Sequence, residues 1–292
     1  LAQISAPQNY LRKSPGKSLG LREAAAVKKL FILIALSAFV IATPGQTKNK
    51  GILLEELTWV EAEKVLTRDT VVVIPLGAAA KEHGPHLKLK NDFILAEYLK
   101  RRVLKASNVV IAPTVSYSFY PAFVEYPGST TLRMETARDM IVDICRSLAR
   151  YGSRRFYVLN TGISTLRALR PAVDMLASDG IVMRFTDLGK ITGSVEKQIS
   201  KQEGGTHADE IETSMILYMD PRSVDMKKAV KDYRPGQGRL TRDPNNTQGV
   251  YSPTGVWGDA TLATREKGRI VTEALVKGIL EDIEELRRAS VP

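Results

Sequence analysis

The 292-residue chain has three histidines, and each stands among carboxylates. His83 and His86 lie in KEHGPH, with Glu82 beside the first and Asp92 nine residues after it; His207 lies in THADEIETS. Neutral imidazole and carboxylate together form the donor set of zinc, manganese or iron. Gly84 and Pro85 rule out a regular helix between the first two histidines, so the backbone turns there, and Asp92 can fold back from the next helical pattern. This spacing favours one ligand and one helper over two ligands. In the second run, Thr206 followed by Asp209 has the form of a capping box. That places His207 at the first helical position, Glu210 on its face and Glu212 well round the helix, with either glutamate able to reach an ion. Asp209 and Glu210 also suit a helix N-terminus as plain favourable charge, and at least one of them is expected to serve that way.

The elements that must position these residues alternate. TVVVIPLG (70–77) reads as a strand and DFILAEYLKRRVLKA (92–106) as a helix. NVVIAPTV (108–115) is a strand, 134–152 a helix and RRFYVLNTG (154–162) a strand. Residues 164–180 form a helix that Pro171 should shorten or kink, and 180–188 a fourth strand. Such alternation predicts an α/β fold in three layers, α/β/α, with a mainly parallel central sheet. EHGPH, the aromatic loop 116–131, NTGIST and THADEIET then gather at the carboxyl edge of the strands, where open α/β sheets bind ligands. The Gly- and Pro-rich stretch 234–260 reads as a flexible surface loop or a lid.

Composition narrows the function. The net charge of +10 is carried mainly by residues 1–50, which contribute +7, so no basic stripe is left for nucleic acid, which is excluded as a partner. Lys28 and Lys29 precede thirteen residues, 30–42, that are apolar apart from Ser37. This is the n-region and h-region of a secretory signal, too short for a bilayer span of about 20 residues. Residues 1–42 are therefore expected to be a leader cleaved after Ala42, and 43–292 a single domain, exported to the periplasm or the extracellular space and free of the membrane after cleavage. The lone Cys145 reads as a core residue.

PLGAAAKEHGPHLKLKND, YPGSTTL, FYVLNTG, HADEIETS and SPTGVWGDATLATREKG, in that order, resemble the creatininase family of metal-dependent amidohydrolases. The resemblance implies a compact α/β/α domain, one or two divalent ions, hydrolysis of a C–N bond and a homo-oligomer, frequently a hexamer. It carries the family's metal histidine and bridging aspartate to His83 and Asp92, its glutamate to Glu212, and its substrate-side histidine to His207. Two positions depart from the pattern. Lys81 stands where the family has glutamate, with Glu82 shifted next to His83, and Gly162 stands where Asn-Gly-His supplies a metal histidine. One zinc or manganese ion is therefore expected rather than two, held by His83, Asp92 and a glutamate, Glu82 or Glu212. Restoring a histidine at 162 is expected to add metal. Glu82 or Glu212 would take a proton from water, and His86 or His207 would protonate the departing nitrogen. Thr161, Gly162 and Ser164 are candidates for an oxyanion site, with a helix cap as the plainer alternative. Trp257 joins Tyr117, Phe119, Tyr120 and Phe123 as a rim for a planar or apolar part of a small-molecule substrate. The expected function is an exported metal-dependent hydrolase of an amide or other C–N bond. The competing expectation, raised by Gly162, is a non-catalytic ligand-binding or assembly protein.

Overall fold

The computed structural model describes residues 49–291. The leader, its h-region and the cleavage point lie outside the described residues. Among the described residues, no helix is long and apolar enough to cross a membrane.

Five parallel strands form the central sheet: β1 (Ile52–Leu53), β2 (Val71–Leu76), β3 (Val110–Ile111), β4 (Arg155–Asn160) and β5 (Val182–Phe185), in the order β1-β3-β2-β4-β5. The run VVVIPL of β2 is buried at every position, as a parallel strand covered on both faces must be. Its pairing with β4 runs from Val71 opposite Arg155 to Leu76 opposite Asn160, so the loops that follow both strands leave the sheet side by side.

Side-chain alternation along β2 divides the core. Val71 and Val73 face one layer, made by α2 (Asn91–Ala106), α5 (Leu188–Ile199), α6 (Glu210–Met219) and α7 (Arg265–Arg288). Val72, Ile74 and Leu76 face the other, made by α3 (Met134–Ala149) and α4 (Leu166–Ala177), with α1 (Trp59–Val65) at its margin. The three-layer α/β/α architecture is the one the alternation predicts. Cys145 lies fully buried in the second layer, and burial pushes its thiol up to about 12, so it is a packing residue.

Three details differ from the sequence reading. The second strand shrinks from 108–115 to Val110–Ile111, because Pro113 has no N–H for the ladder, and pairing resumes only at the single bridge between Leu76 and Val115. Helix α4 spans Leu166–Ala177 rather than 164–180, shorter at both ends, with Pro171 inside it. The stretch 234–260 is an ordered wall: β7 (Arg239–Thr241) pairs with β8 (Gly249–Tyr251), and β9 (Gly258–Asp259) with β6 (Lys231–Asp232). Leu240 and Val250 of this wall pack on Tyr120, Phe123 and Tyr126.

Candidate metal centre

The strand exit and the start of α2 approach so closely that only glycine fits between them. A Cβ on Gly77 would run into the Asp92 carbonyl and lie 2.7 Å from the Ala96 methyl. This contact sets Asp92 beneath the loop that carries KEHGPH. The loop is pinned from its other side by YPGSTTL, where Ser129 Oγ accepts the N–H of Glu82 at 2.9 Å and Ala80 O accepts the N–H of Thr130 at 2.9 Å.

His83 is oriented by its own backbone. Its Nδ1 lies 2.9 Å from Lys81 O, an acceptor only, which fixes the proton on that nitrogen and aims Nε2 at Asp92 Oδ1, 2.8 Å away, and Glu212 Oε1, 3.3 Å away. Burial and the Lys81 charge oppose protonation of this ring, but Asp92 and Glu212 outweigh them and raise it to about 9. Burial alone would raise Asp92, yet Lys81 and His83 hold it below the usual carboxylate range. Lys81 Nζ makes an ionic contact of 2.8 Å with Asp92 Oδ2. Burial pulls the ammonium down, and Asp92 and Glu212 together carry it above its ordinary value.

His207 is oriented in the complementary sense. Its Nε2 lies 3.0 Å from both the main-chain carbonyl and the carboxylate of Glu82, leaving Nδ1 toward Glu212 Oε2 at 3.6 Å. The Phe123 ring stacks on it at 4.2 Å. His207 lies not at a helical position but in an extended pair with Trp257, three residues before α6 begins. The cap of α6 is Asp209, which accepts the N–H groups of Ile211 and Glu212, and not Thr206. Between His207 and Asp209, Ala208 adopts φ 48°, the one non-glycine positive φ among the described residues. That turn swings Ala208 N–H onto Glu212 Oε2 at 2.7 Å. Strain of this kind gathers where a side chain must be aimed.

His83, His207 and Glu212 thus bring ligand atoms to within 4.8 Å of one another, and Asp92 joins them through His83. Burial would raise Glu212, but His83 and His207 hold its carboxyl far below the usual range, so it is a carboxylate at any working pH. The donor set fits a divalent ion: two imidazoles each have one nitrogen anchored and the other facing carboxylate.

Other predicted residues sit elsewhere. Glu82 stands behind His207 and accepts the N–H of Gly84, so in this structure it supports an imidazole. Gly255 makes room for it, with φ +81° and a position where a Cβ would strike the carboxylate. His86 turns to α6, its Nε2 2.8 Å from Thr213 Oγ1, and burial drives it down to about 4, so its ring is uncharged near neutrality. Glu210 points away, onto Lys267, Ser200 and the N–H groups of Lys201 and Gln202. The oxyanion reading of NTGIST fails for Thr161 and Gly162. Thr161 Oγ1 donates to Leu76 O, while Gly162 N–H and Thr165 Oγ1 are consumed by Asn160 Oδ1 in a closed turn. The helix-cap alternative is not seen either, since no side chain caps α4 at Thr165, and Thr161, Gly162 and Ser164 all keep a place on the cavity wall.

Above the cluster opens a cavity of about 630 Å³, with Lys81, His207 and Glu212 in its lining and Trp257 in its rim. Part of its room comes from missing side chains, since a Cβ on Gly193 of α5 would meet nothing and one on Gly189 only Asp187 Oδ1 at 3.8 Å. Trp257 is tied down by a bond from Nε1 to Arg234 O. Asn91, which sequence reasoning missed, is fully buried and donates to Glu212 Oε1 at 3.3 Å. Its only sequence signal is its place beside Asp92.

Comparison with known proteins identifies relatives of the whole fold. The family model for creatinine amidohydrolase matches residues 55–283. The creatinine amidohydrolase of Pseudomonas putida is 26% identical over 260 residues, covering 81% of this chain and 98% of its own. The mycofactocin precursor peptide peptidase of Mycolicibacterium smegmatis (strain ATCC 700084 / mc(2)155) is 26% identical, covering 73% and 84%. The 3-dehydro-scyllo-inosose hydrolase of Thermotoga maritima is 26% identical, covering 77% and 80%. A manganese form of creatininase superposes with a TM-score of 0.67 at 27% identity, over 80% of this chain and 98% of that one. A zinc–zinc form of a creatininase mutant gives 0.66 at 27% identity, over 80% and 97%. By the span of the family model and the match of fold, the chain belongs to the creatininase family.

Proposed function

We propose that the protein is a metal-dependent hydrolase that cleaves an amide or other C–N bond of a small molecule in the cavity above His83, His207 and Glu212. The observation that carries this reading is the paired anchoring of two imidazoles: His83 by Lys81 O, and His207 by Glu82, so that His83 Nε2 and His207 Nδ1 both turn to Glu212. The family's relatives that hydrolyse creatinine and a precursor peptide, and its manganese and zinc–zinc structures, support both the reaction class and the metal.

His83, Asp92 and Glu212 would hold the ion. When bound it would acidify a coordinated water and polarise the scissile carbonyl. The rest falls to the chain. His207 and Glu212 line the cavity while His83 lies 1% exposed behind them, so His207 is the imidazole a substrate can touch. Glu82 fixes its ring through Nε2, which orients it to deliver a proton to the departing nitrogen. Phe123 and Trp257 close the sides and keep water from the bond. Export through the 1–42 leader and assembly into a homo-oligomer belong to the same proposal, on the strength of the leader's pattern and the family.

The test is metal content by plasma mass spectrometry together with a panel of cyclic and linear amides, before and after chelation. Turnover that disappears with the ion and returns with zinc or manganese is expected. Ligand binding without turnover in metal-loaded protein would instead establish the non-catalytic relative.

A further inference from the structure

Asp92 has a different partner on each oxygen. Oδ1 lies 2.8 Å from His83 Nε2, on the side of the ion ligands, and Oδ2 lies 2.8 Å from Lys81 Nζ. Asp92 is fully buried and Lys81 is 5% exposed, so this is a charge pair set in protein rather than a surface contact. The ammonium is steadied by the faces of Phe123, 4.8 Å from Nζ to the ring centre, and Tyr120, 5.6 Å. The same residue's carbonyl orients His83. Gly162 belongs to the same wall: a Cβ there would sit 3.5 Å from Tyr120 Cε1.

A carboxylate can bridge two cations, one on each oxygen. Here one of those places is already filled by a cation that the chain supplies, and a buried ammonium repels any divalent ion brought beside it. We propose that Lys81 is a built-in cation that takes the place of a second metal ion at Asp92 Oδ2, so that the centre holds one divalent ion and uses the ammonium to balance the other half of the carboxylate. The inference rests on the metal-centre reading above and adds to it the residue that sets the count of ions. It also couples two departures in the sequence. With an ammonium at Oδ2, a ligand at position 162 has no ion to hold, and a residue without a side chain costs nothing there.

The experiment titrates metal-free protein with zinc in a calorimeter and counts bound ions by plasma mass spectrometry, with circular dichroism to follow the fold. Wild type should saturate at one ion per chain. Lys81→Met, and in parallel the polar Lys81→Gln, should bind that ion about tenfold or more tightly, because a repelling charge has gone and Asp92 is left free to coordinate. Gly162→His alone should stay at one ion, against the expectation that an added imidazole suffices. Combined with Lys81→Glu, it should reach two. Two ions in wild type or in Gly162→His overturn the proposal while leaving the metal centre intact. So does zinc binding no tighter in both Lys81→Met and Lys81→Gln. No ion in wild type or any variant overturns the metal-centre reading and this inference with it. The wild-type count decides even where a variant fails to fold.

Discussion

Glu210 and Glu212 are two residues apart on the first turn of one helix, and they have opposite work. Glu210 is wholly buried among donors: Lys267 Nζ, Ser200 Oγ at 3.0 Å, and the N–H groups of Lys201 at 2.8 Å and Gln202 at 2.7 Å. Those bonds hold the acid below its ordinary value although burial opposes them. Glu212 meets two imidazoles, one amide and one main-chain N–H, and opens on the cavity. An acid is structural when its partners are fixed donors that complete its bonding. It is available for chemistry when its partners can surrender their place to an ion.

The sharpest way to break this contrast is to neutralise each acid in turn. Glu212→Gln should weaken zinc or manganese binding by more than about a hundredfold, beyond what loss of a supporting group costs, and abolish turnover. Its metal-free stability should change by no more than about 1 kcal/mol, because His83 keeps Asp92. Glu210→Gln should do the reverse, costing about 3 kcal/mol by stranding the Lys267 ammonium while leaving metal content unchanged. Adding Lys267→Met to Glu210→Gln should recover more than half of that loss, since the amide oxygen still serves the N–H groups and no unpaired charge remains. Urea unfolding and metal counts on the four proteins check all of this. Equal metal loss in both single variants would erase the distinction.

A smaller effect is expected from the support behind His207. Gly255→Ala places a methyl against the Glu82 carboxylate in a left-handed conformation, and should cost about 2 kcal/mol. Because Glu82 is displaced rather than removed, the ion should stay and the rate of turnover should fall. Glu82→Gln, which keeps the shape, should lower that rate while leaving stability within about 1 kcal/mol. A rate unchanged in both would mean that the bond from Glu82 to His207 has no part in proton delivery.

The same contrast explains what the sequence disclosed. Strands β2 and β4 were legible because a parallel strand covered on both faces is an unbroken apolar run. Helix α5 was not, since LGKITGSVEKQI carries two glycines and has poor intrinsic helicity; its apolar Leu188, Ile191, Val195 and Ile199 find their face only against the core. In the site, His83 with Asp92 was readable from a fixed interval, and Glu212 from its motif. The cap was misplaced by three residues because Thr206 also precedes an acid at the right spacing, although aspartate is the better cap and Asp209 is followed at the same interval by Glu212. Lys81 was visible only as a departure from a pattern, because a lysine's partner across a loop has no signature in linear order. For the same reason the partner of Glu82 was not legible: adjacency to His83 in sequence gave no hint that its carboxylate faces His207.

His86 offers the mildest test, and it separates two histidines three residues apart. Burial holds His86 at about 4, below the ordinary value of 6.5, whereas Asp92 and Glu212 carry His83 up to about 9 against burial and Lys81. The signs are opposite. For His86 the unfolded chain binds the proton more readily, so its neutral burial is fully tolerated above about pH 6.5 and becomes a liability as pH falls toward 4. For His83 the folded chain binds the proton more readily, so its contribution is complete below about pH 6.5 and is lost as pH rises through 9. His86→Gln keeps a donor for Thr213 without a titrating ring, and metal-free protein should therefore lose about 2 kcal/mol less than wild type between pH 7 and 4.5. The comparison is made by urea unfolding at the two pH values. Because Nε2 of His86 is committed to Thr213, metal content at pH 7 should be unchanged. If acid sensitivity is the same in both proteins, His86 is charged in the folded state and belongs with His83 as part of the centre, not with the packing that carries it.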